Sequence, residues 1–178
     1  MKIACVVGSI HSKSRNLQLA RAVEMLLPEH VTFVYPDLDL PLFSQDRELD
    51  YPHDVQNMKD MIADSDGVLI VTPEYNRSIP APLKNAIDWA SRPWESHPFR
   101  GKPTGIIGVS TGVTGTAQSQ QQLRSVLVYL EARMMGQPEL YLQASRTLRD
   151  DGGVYEEIIP RLQAYVNAFV AHIGFYSR

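Results

Sequence analysis

Gly67-Val68-Leu69-Ile70-Val71-Thr72-Pro73-Glu74-Tyr75-Asn76-Arg77-Ser78-Ile79-Pro80 opens with five residues that carry no polar side chain and passes at once into a loop bracketed by two prolines. An uninterrupted apolar run of this length suits a strand buried on both faces, the condition of a parallel sheet covered by helices. The signature recurs at Ile3-Ala4-Cys5-Val6-Val7, ended by Gly8, and at 104–109. Residues 31–35 and 140–142 complete five expected strands. Between them, apolar residues recur at helical spacing. Leu17, Ala20, Val23 and Leu27 mark a helix closed by Pro28; Val55, Met58 and Ile62 mark a second; Leu83, Ile87 and Ala90 mark a third after Pro80 and Pro82. A long helix is expected from 117 to about 134 and a terminal one over 158–173, while Pro36, Pro41 and Pro52 keep one long connection irregular. Strand and helix alternating five times predict an α/β chain: a parallel sheet wrapped on both faces by helices, wound by right-handed crossovers. Ligands of such sheets sit beyond the carboxyl ends of the strands, where strand order reverses. The loops after strands one, three and four are therefore the places to look.

Composition sets the frame. A chain of 178 residues suits one domain, 1–178, and should bury roughly 70% of its unfolded surface. Hydrophobic residues at 44% and charged residues at 21% match globular averages and exclude a disordered or fibrous chain. Seventeen Lys and Arg against 20 Asp and Glu give a net charge of −3, which offers no electrostatic reason for a nucleic acid or an anionic membrane as partner. Cys5 is the single cysteine, so no internal disulfide and no four-cysteine zinc site can form. The apolar run 3–7 is too short for a signal peptide, and no segment reaches membrane-span length; a cytoplasmic protein is expected.

Gly8-Ser9-Ile10-His11-Ser12-Lys13-Ser14-Arg15-Asn16 joins a buried strand to a helix N-terminus, where free N–H groups and the helix dipole favour an anion. Serine hydroxyls and two cations fit phosphate. The same residues also suit a plain loop in which Ser14 or Asn16 caps the helix. A nucleotide P-loop fails because Ser12 stands before the lysine, and a dinucleotide fingerprint fails because Gly8 has no glycine partners. Cys5, inside an apolar strand, reads as a packed thiol. The second loop offers a planar aromatic, amides and a carboxylate between prolines, suited to a flat ligand or equally to a stiff turn. In the third, 110–116, Gly112 and Gly115 allow close approach of a ligand or positive φ. An anion site, a flat-ring site and a glycine-lined wall at one sheet edge point to a mononucleotide with an aromatic head. The five histidines show no metal-ligand spacing, so no metal is expected.

At these loops the chain resembles the NAD(P)H-dependent FMN reductases, the flavodoxin-like group that includes chromate and quinone reductases. Gly8 through Asn16, Pro73-Glu74-Tyr75-Asn76 with Leu83-Lys84-Asn85-Ala86-Ile87-Asp88-Trp89, and 110–117 carry the resemblance; Leu40-Pro41-Leu42-Phe43 adds to it, and it weakens after Gln137. The resemblance implies a flavodoxin-like three-layer sandwich with strand order 2-1-3-4-5, non-covalent FMN, and NADPH or NADH as donor. It assigns the phosphate to Ser9, Ser14 and Asn16, with the Arg15 backbone N–H. His11 stands where the family usually has arginine, which implies weaker or more pH-dependent FMN binding. Pro73, Glu74, Tyr75 and Asn76 would border the ring and ribityl chain, with Ser110, Thr111, Gly112 and Gly115 as the other wall. Glu74 is expected to orient a ring edge or a helix rather than act as an acid.

The flavin would carry the chemistry in a ping-pong cycle, with no catalytic protein residue, delivering electrons to a small-molecule acceptor: a quinone, free flavin, an azo compound or a metal oxyanion. The family implies a homodimer or homotetramer, with Asp88, Trp89, Arg92 and Trp94 as candidate interface residues; Trp89 and Trp94 equally suit a core. Lys13, Arg15 and Arg77 are candidates for the extra phosphate of NADPH. A flavodoxin-type electron carrier and an FMN-free interaction module are the competing readings, since fold alone does not decide function.

Overall fold

The computed structural model describes residues 1–48 and 50–176. Its strands are β1 (Lys2–Val7), β2 (Thr32–Val34), β3 (Gly67–Val71), β4 (Pro103–Ser110), β5 (Arg133–Met134) and β6 (Tyr141–Gln143). They run parallel in the order β2-β1-β3-β4-β5, with β6 also on β4. This is the expected 2-1-3-4-5 order with its fifth place divided. β5 pairs with Pro103 and Thr104 at the start of β4, and β6 with Gly108, Val109 and Ser110 at its end.

The helices are α1 (Arg15–Glu24), α2 (His53–Ala63), α3 (Ala81–Ala90), α4 (Ala117–Tyr129), α5 (Ala144–Thr147) and α6 (Ile159–Tyr176). The expected helix to 134 is corrected: α4 ends at Tyr129. Glu131 adopts a left-handed φ of 58°, Ala132 N–H returns to Leu127 O at 3.0 Å, and Arg133 N–H joins Lys102 O at 2.9 Å. Met134 is thus partly buried from a strand, a placement that apolar spacing alone cannot distinguish from a helical one. α5 was not expected at all.

Successive strand residues point to opposite faces, and each face has its own core. Ile3, Cys5, Leu69, Val71, Ile107 and Val109 pack under α1 and α6. Ala4, Val6, Val68, Ile70 and Ile106 pack under α2, α3 and α4. Cys5 is fully buried, and burial pushes its thiol well above the usual range, which leaves it an inert packing group.

The α3 motif explains the irregular connection it faces. Asn85 Oδ1 accepts from Phe43 N–H at 2.9 Å, and its Nδ2 donates to Pro41 O at 3.0 Å. Trp89 is fully buried; its Nε1–H donates to the same carbonyl at 2.7 Å, and Phe43 meets its ring edge-on at 5.1 Å. Trp89 is therefore a core residue and is withdrawn from the candidate interface. Trp94 is half-buried against Tyr129, ring centroids 5.1 Å apart. Trp89→Phe is expected to cost about 1–2 kcal/mol, from the lost hydrogen bond and ring volume. Urea unfolding with an unchanged m-value is the check. Among the described residues, no helix is long and apolar enough to cross a membrane.

Candidate functional site

The parallel register brings the exits of β1, β3 and β4 to one edge. A cleft of about 200 Å³ there is lined by Ser9, His11, Ser14, Arg15, Asn16, Pro73, Glu74, Tyr75, Ser110 and Thr111, all expected site residues, together with Lys13 and Val109. Asn76, Gly112 and Gly115 line an adjoining depression of about 440 Å³ that shares Glu74, Ser110 and Thr111 with the first.

In the first loop, Ser14 is the N-cap of α1, and its Oγ accepts from Leu17 N–H at 3.2 Å. Its own O–H remains free to donate, so capping and anion binding are compatible. Among the described residues, the N–H groups of Arg15 and Asn16 have no intramolecular acceptor, as expected for a first helical turn. Two such N–H groups, two serine hydroxyls and the Lys13 and Arg15 charges form a donor set that fits a phosphate. Asn16 differs from expectation in one respect. Its side chain is buried and doubly bound to Val109, Nδ2 donating to the carbonyl and Oδ1 accepting from the N–H, each at 3.0 Å. The amide ties α1 to β4, and only the Asn16 backbone N–H is left for an anion. His11 Nδ1 accepts from Lys13 N–H at 2.8 Å, which puts the proton of the neutral ring on Nε2. His11 N–H in turn donates to Ser9 Oγ at 3.4 Å. The imidazole thus shapes the loop.

The second loop is a tight reversal. Tyr75 and Ser78 exchange N–H···O bonds of 3.2 and 2.9 Å, with Asn76 at φ 52° and Arg77 at φ 64°. These left-handed angles are those of a type I′ turn, tolerable for Asn but strained for Arg. The turn is held from outside: Gln122 Nε2 donates to Arg77 O at 2.9 Å, Ser78 Oγ donates to Gln122 Oε1 at 2.7 Å, and Arg77 Nη1 donates to Thr114 Oγ1 at 3.2 Å. It leaves Tyr75 52% exposed at the cleft. Glu74 Oε2 accepts from Gln118 and Ser119 N–H at 2.9 and 3.1 Å, capping α4, whose own N-cap Thr116 makes no side-chain cap bond. A carboxylate there also meets the positive end of the helix dipole.

In the third loop, Ser110 Oγ donates to Gly115 O at 2.6 Å. Gly115 has φ 60°, and a Cβ on it would lie 2.6 Å from the Tyr141 carbonyl carbon. Its glycine is demanded by turn and packing. Gly112 is the open position of this wall, its nearest neighbour being Ser110 Oγ at 3.6 Å. Gln122, which fixes the turn, was not legible in sequence, where it is one of three consecutive glutamines.

Comparison with known proteins places this geometry. Residues 1–147 match the family model described as NADPH-dependent FMN reductase. A 2-hydroxy-1,4-benzoquinone reductase of Burkholderia sp is 47% identical over 176 residues, covering 97% of this chain and 96% of that protein. The flavoenzyme NAD(P)H:(acceptor) oxidoreductase from Paracoccus denitrificans superposes with a TM-score of 0.91 at 40% identity, covering 98% of both chains. A flavodoxin mutant from Pseudomonas aeruginosa, 22% identical with a TM-score of 0.61, covering 95% of this chain and 99% of its own, shares the fold. The likeness to the Burkholderia protein thus continues through the segment where the motifs themselves thin out. With three loops converging at the strand exits and relatives aligned nearly end to end, the chain belongs to the NADPH-dependent FMN reductase family, with FMN as cofactor and NAD(P)H as electron donor.

Proposed function

We propose that the protein is an NAD(P)H-dependent quinone reductase in which FMN lies along the two joined depressions. The carrying observation is the donor set of the first loop, where the N–H groups of Arg15 and Asn16, without an acceptor among the described residues, stand beside the Ser9 and Ser14 hydroxyls. These groups would hold the phosphate. Pro73, Glu74, Tyr75 and Asn76 would border the ring on one side, with Ser110, Thr111, Gly112 and Gly115 on the other. When bound, the flavin supplies hydride acceptance from NAD(P)H and electron delivery to the acceptor.

The protein's part is binding and orientation. The strained 75–78 turn, fixed by Gln122 and Arg77, gives a rigid edge for a flat ring. Glu74, committed to α4, keeps loops two and three in register. The resemblance puts an arginine where His11 stands; His11→Arg would add a charge-assisted contact but remove the acceptor of Lys13 N–H, so FMN is expected to tighten by about threefold, against about tenfold for the contact alone. Fluorescence titration of the flavin-free protein is the check. A quinone is the acceptor class favoured by the 47% identical relative. The reading includes a single domain, a cytoplasmic location and a homodimer or homotetramer.

Steady-state kinetics with varied NADPH and a benzoquinone should give parallel double-reciprocal lines, since donor and acceptor would use one face in turn. Converging lines, or turnover that does not need FMN, would sink the proposal.

A further inference from the structure

A second cleft adjoins the first loop and takes no residue of the 75–78 turn into its lining. About 630 Å³ in volume, it shares His11, Lys13, Arg15 and Thr111 with the first cleft, and its far wall comes from Leu148, Arg149, Asp150 and Gly152. That wall follows the last residue of the family match, 147. It is a built structure. Gln18 Nε2 donates to Arg149 O and Gly153 O at 2.8 and 2.9 Å, Arg149 N–H donates to Gly153 O at 2.9 Å, and Leu148 bridges Val154. One side chain of α1 therefore docks the whole reversal beside Lys13 and Arg15.

The charges around this space are unequal. Lys13, Arg15 and Arg149 line it against Asp150 alone, although Arg149 also meets Asp151 at 2.5 Å from outside the lining. Arg77 does not line this cleft; it is tied to Thr114 in the other depression. The cations that suit an extra phosphate thus fall into two separate groups, and three of the four stand here.

We propose that this cleft is a second phosphate subsite, formed by Lys13, Arg15 and Arg149, that receives the 2′-phosphate of NADPH. The inference rests on the nicotinamide-dependent reading above. FMN phosphate at the first loop would share Lys13 and Arg15, so Arg149 is the cation belonging to this subsite alone. It is half-exposed; its backbone holds the reversal through Gln18 and Gly153, and its guanidinium adds only a solvent-exposed pair with Asp151, a small term in stability. Truncation should therefore leave the fold intact.

The test is calorimetric titration of the FMN-loaded protein with adenosine 2′,5′-bisphosphate and with adenosine 5′-monophosphate. The wild type should prefer the bisphosphate by about tenfold, Arg149→Ala should reduce that preference to about twofold, and Arg149→Lys should keep most of it. Equal affinity of the wild type for the two nucleotides, or a preference undiminished in Arg149→Ala, would overturn the proposal. So would binding of excess free FMN, lost in Arg149→Ala, in place of the bisphosphate, which would make this the seat of an acceptor phosphate. Retention of flavin colour and its bleaching by NADH are followed in the same samples, so failure of this subsite is distinguishable from failure of the reductase reading.

Discussion

Asn16→Ala is expected to lower the unfolding free energy of the FMN-free protein by about 2–4 kcal/mol, the cost of leaving a buried donor and acceptor unpaired. The Asn16 amide satisfies both the N–H and the carbonyl of Val109 at 3.0 Å, in a place that is 3% exposed. Val109 is near the end of β4, just before the third loop, so this pair also sets the distance between the phosphate loop and the opposite wall. Asn16→Asp should be no better, because a carboxylate would face the Val109 carbonyl with no proton to offer. Urea denaturation without flavin is the decisive condition. A side chain that served only as a phosphate ligand would leave the FMN-free protein at wild-type stability.

Glu74→Ala should weaken FMN retention by about tenfold and cost about 1–2 kcal/mol of stability, the scale of a lost helix cap. The Glu74 carboxylate accepts from two N–H groups of α4 for which the N-cap Thr116 offers no side-chain acceptor. Without it the first turn of α4 frays, and with it the link between the second and third loops. Glu74→Gln keeps one acceptor but loses the charge, so an intermediate loss in both measurements is expected. Flavin titration and thermal melting together separate this role from proton transfer. An acid in the reaction would make Gln as damaging as Ala to turnover, with melting unchanged.

The architecture was readable because its signals are long and redundant. Uninterrupted runs such as 67–71 leave little choice except a strand covered on both faces. The divided fifth strand was not readable, because Arg133–Met134 is two residues long and continues the apolar spacing of the helix before it. At the site, residue types identified the loops but not which atoms are free. The resemblance makes Asn16 a phosphate ligand and its position equally a helix cap, yet its side chain's partner is 93 residues away. Gly115 reads equally as a ligand wall or a positive-φ turn, and only its φ of 60° and its packing on Tyr141 of β6 show that the turn requires it. The positive φ of Arg77 has no local cause in the sequence, since the clamp that imposes it comes from Gln122 on another element. Long-range hydrogen bonds decide such cases, and a motif records only the residues that make them.

FMN held at the three-loop edge and reduced there by NAD(P)H is the reaction on which the proposed function rests. Its most direct test is anaerobic: load the purified protein with FMN, remove unbound flavin, add NADPH and then NADH, and follow the visible flavin band. A retained band that bleaches promptly is expected. A retained band that neither nucleotide bleaches, or a protein that keeps no flavin, would contradict it.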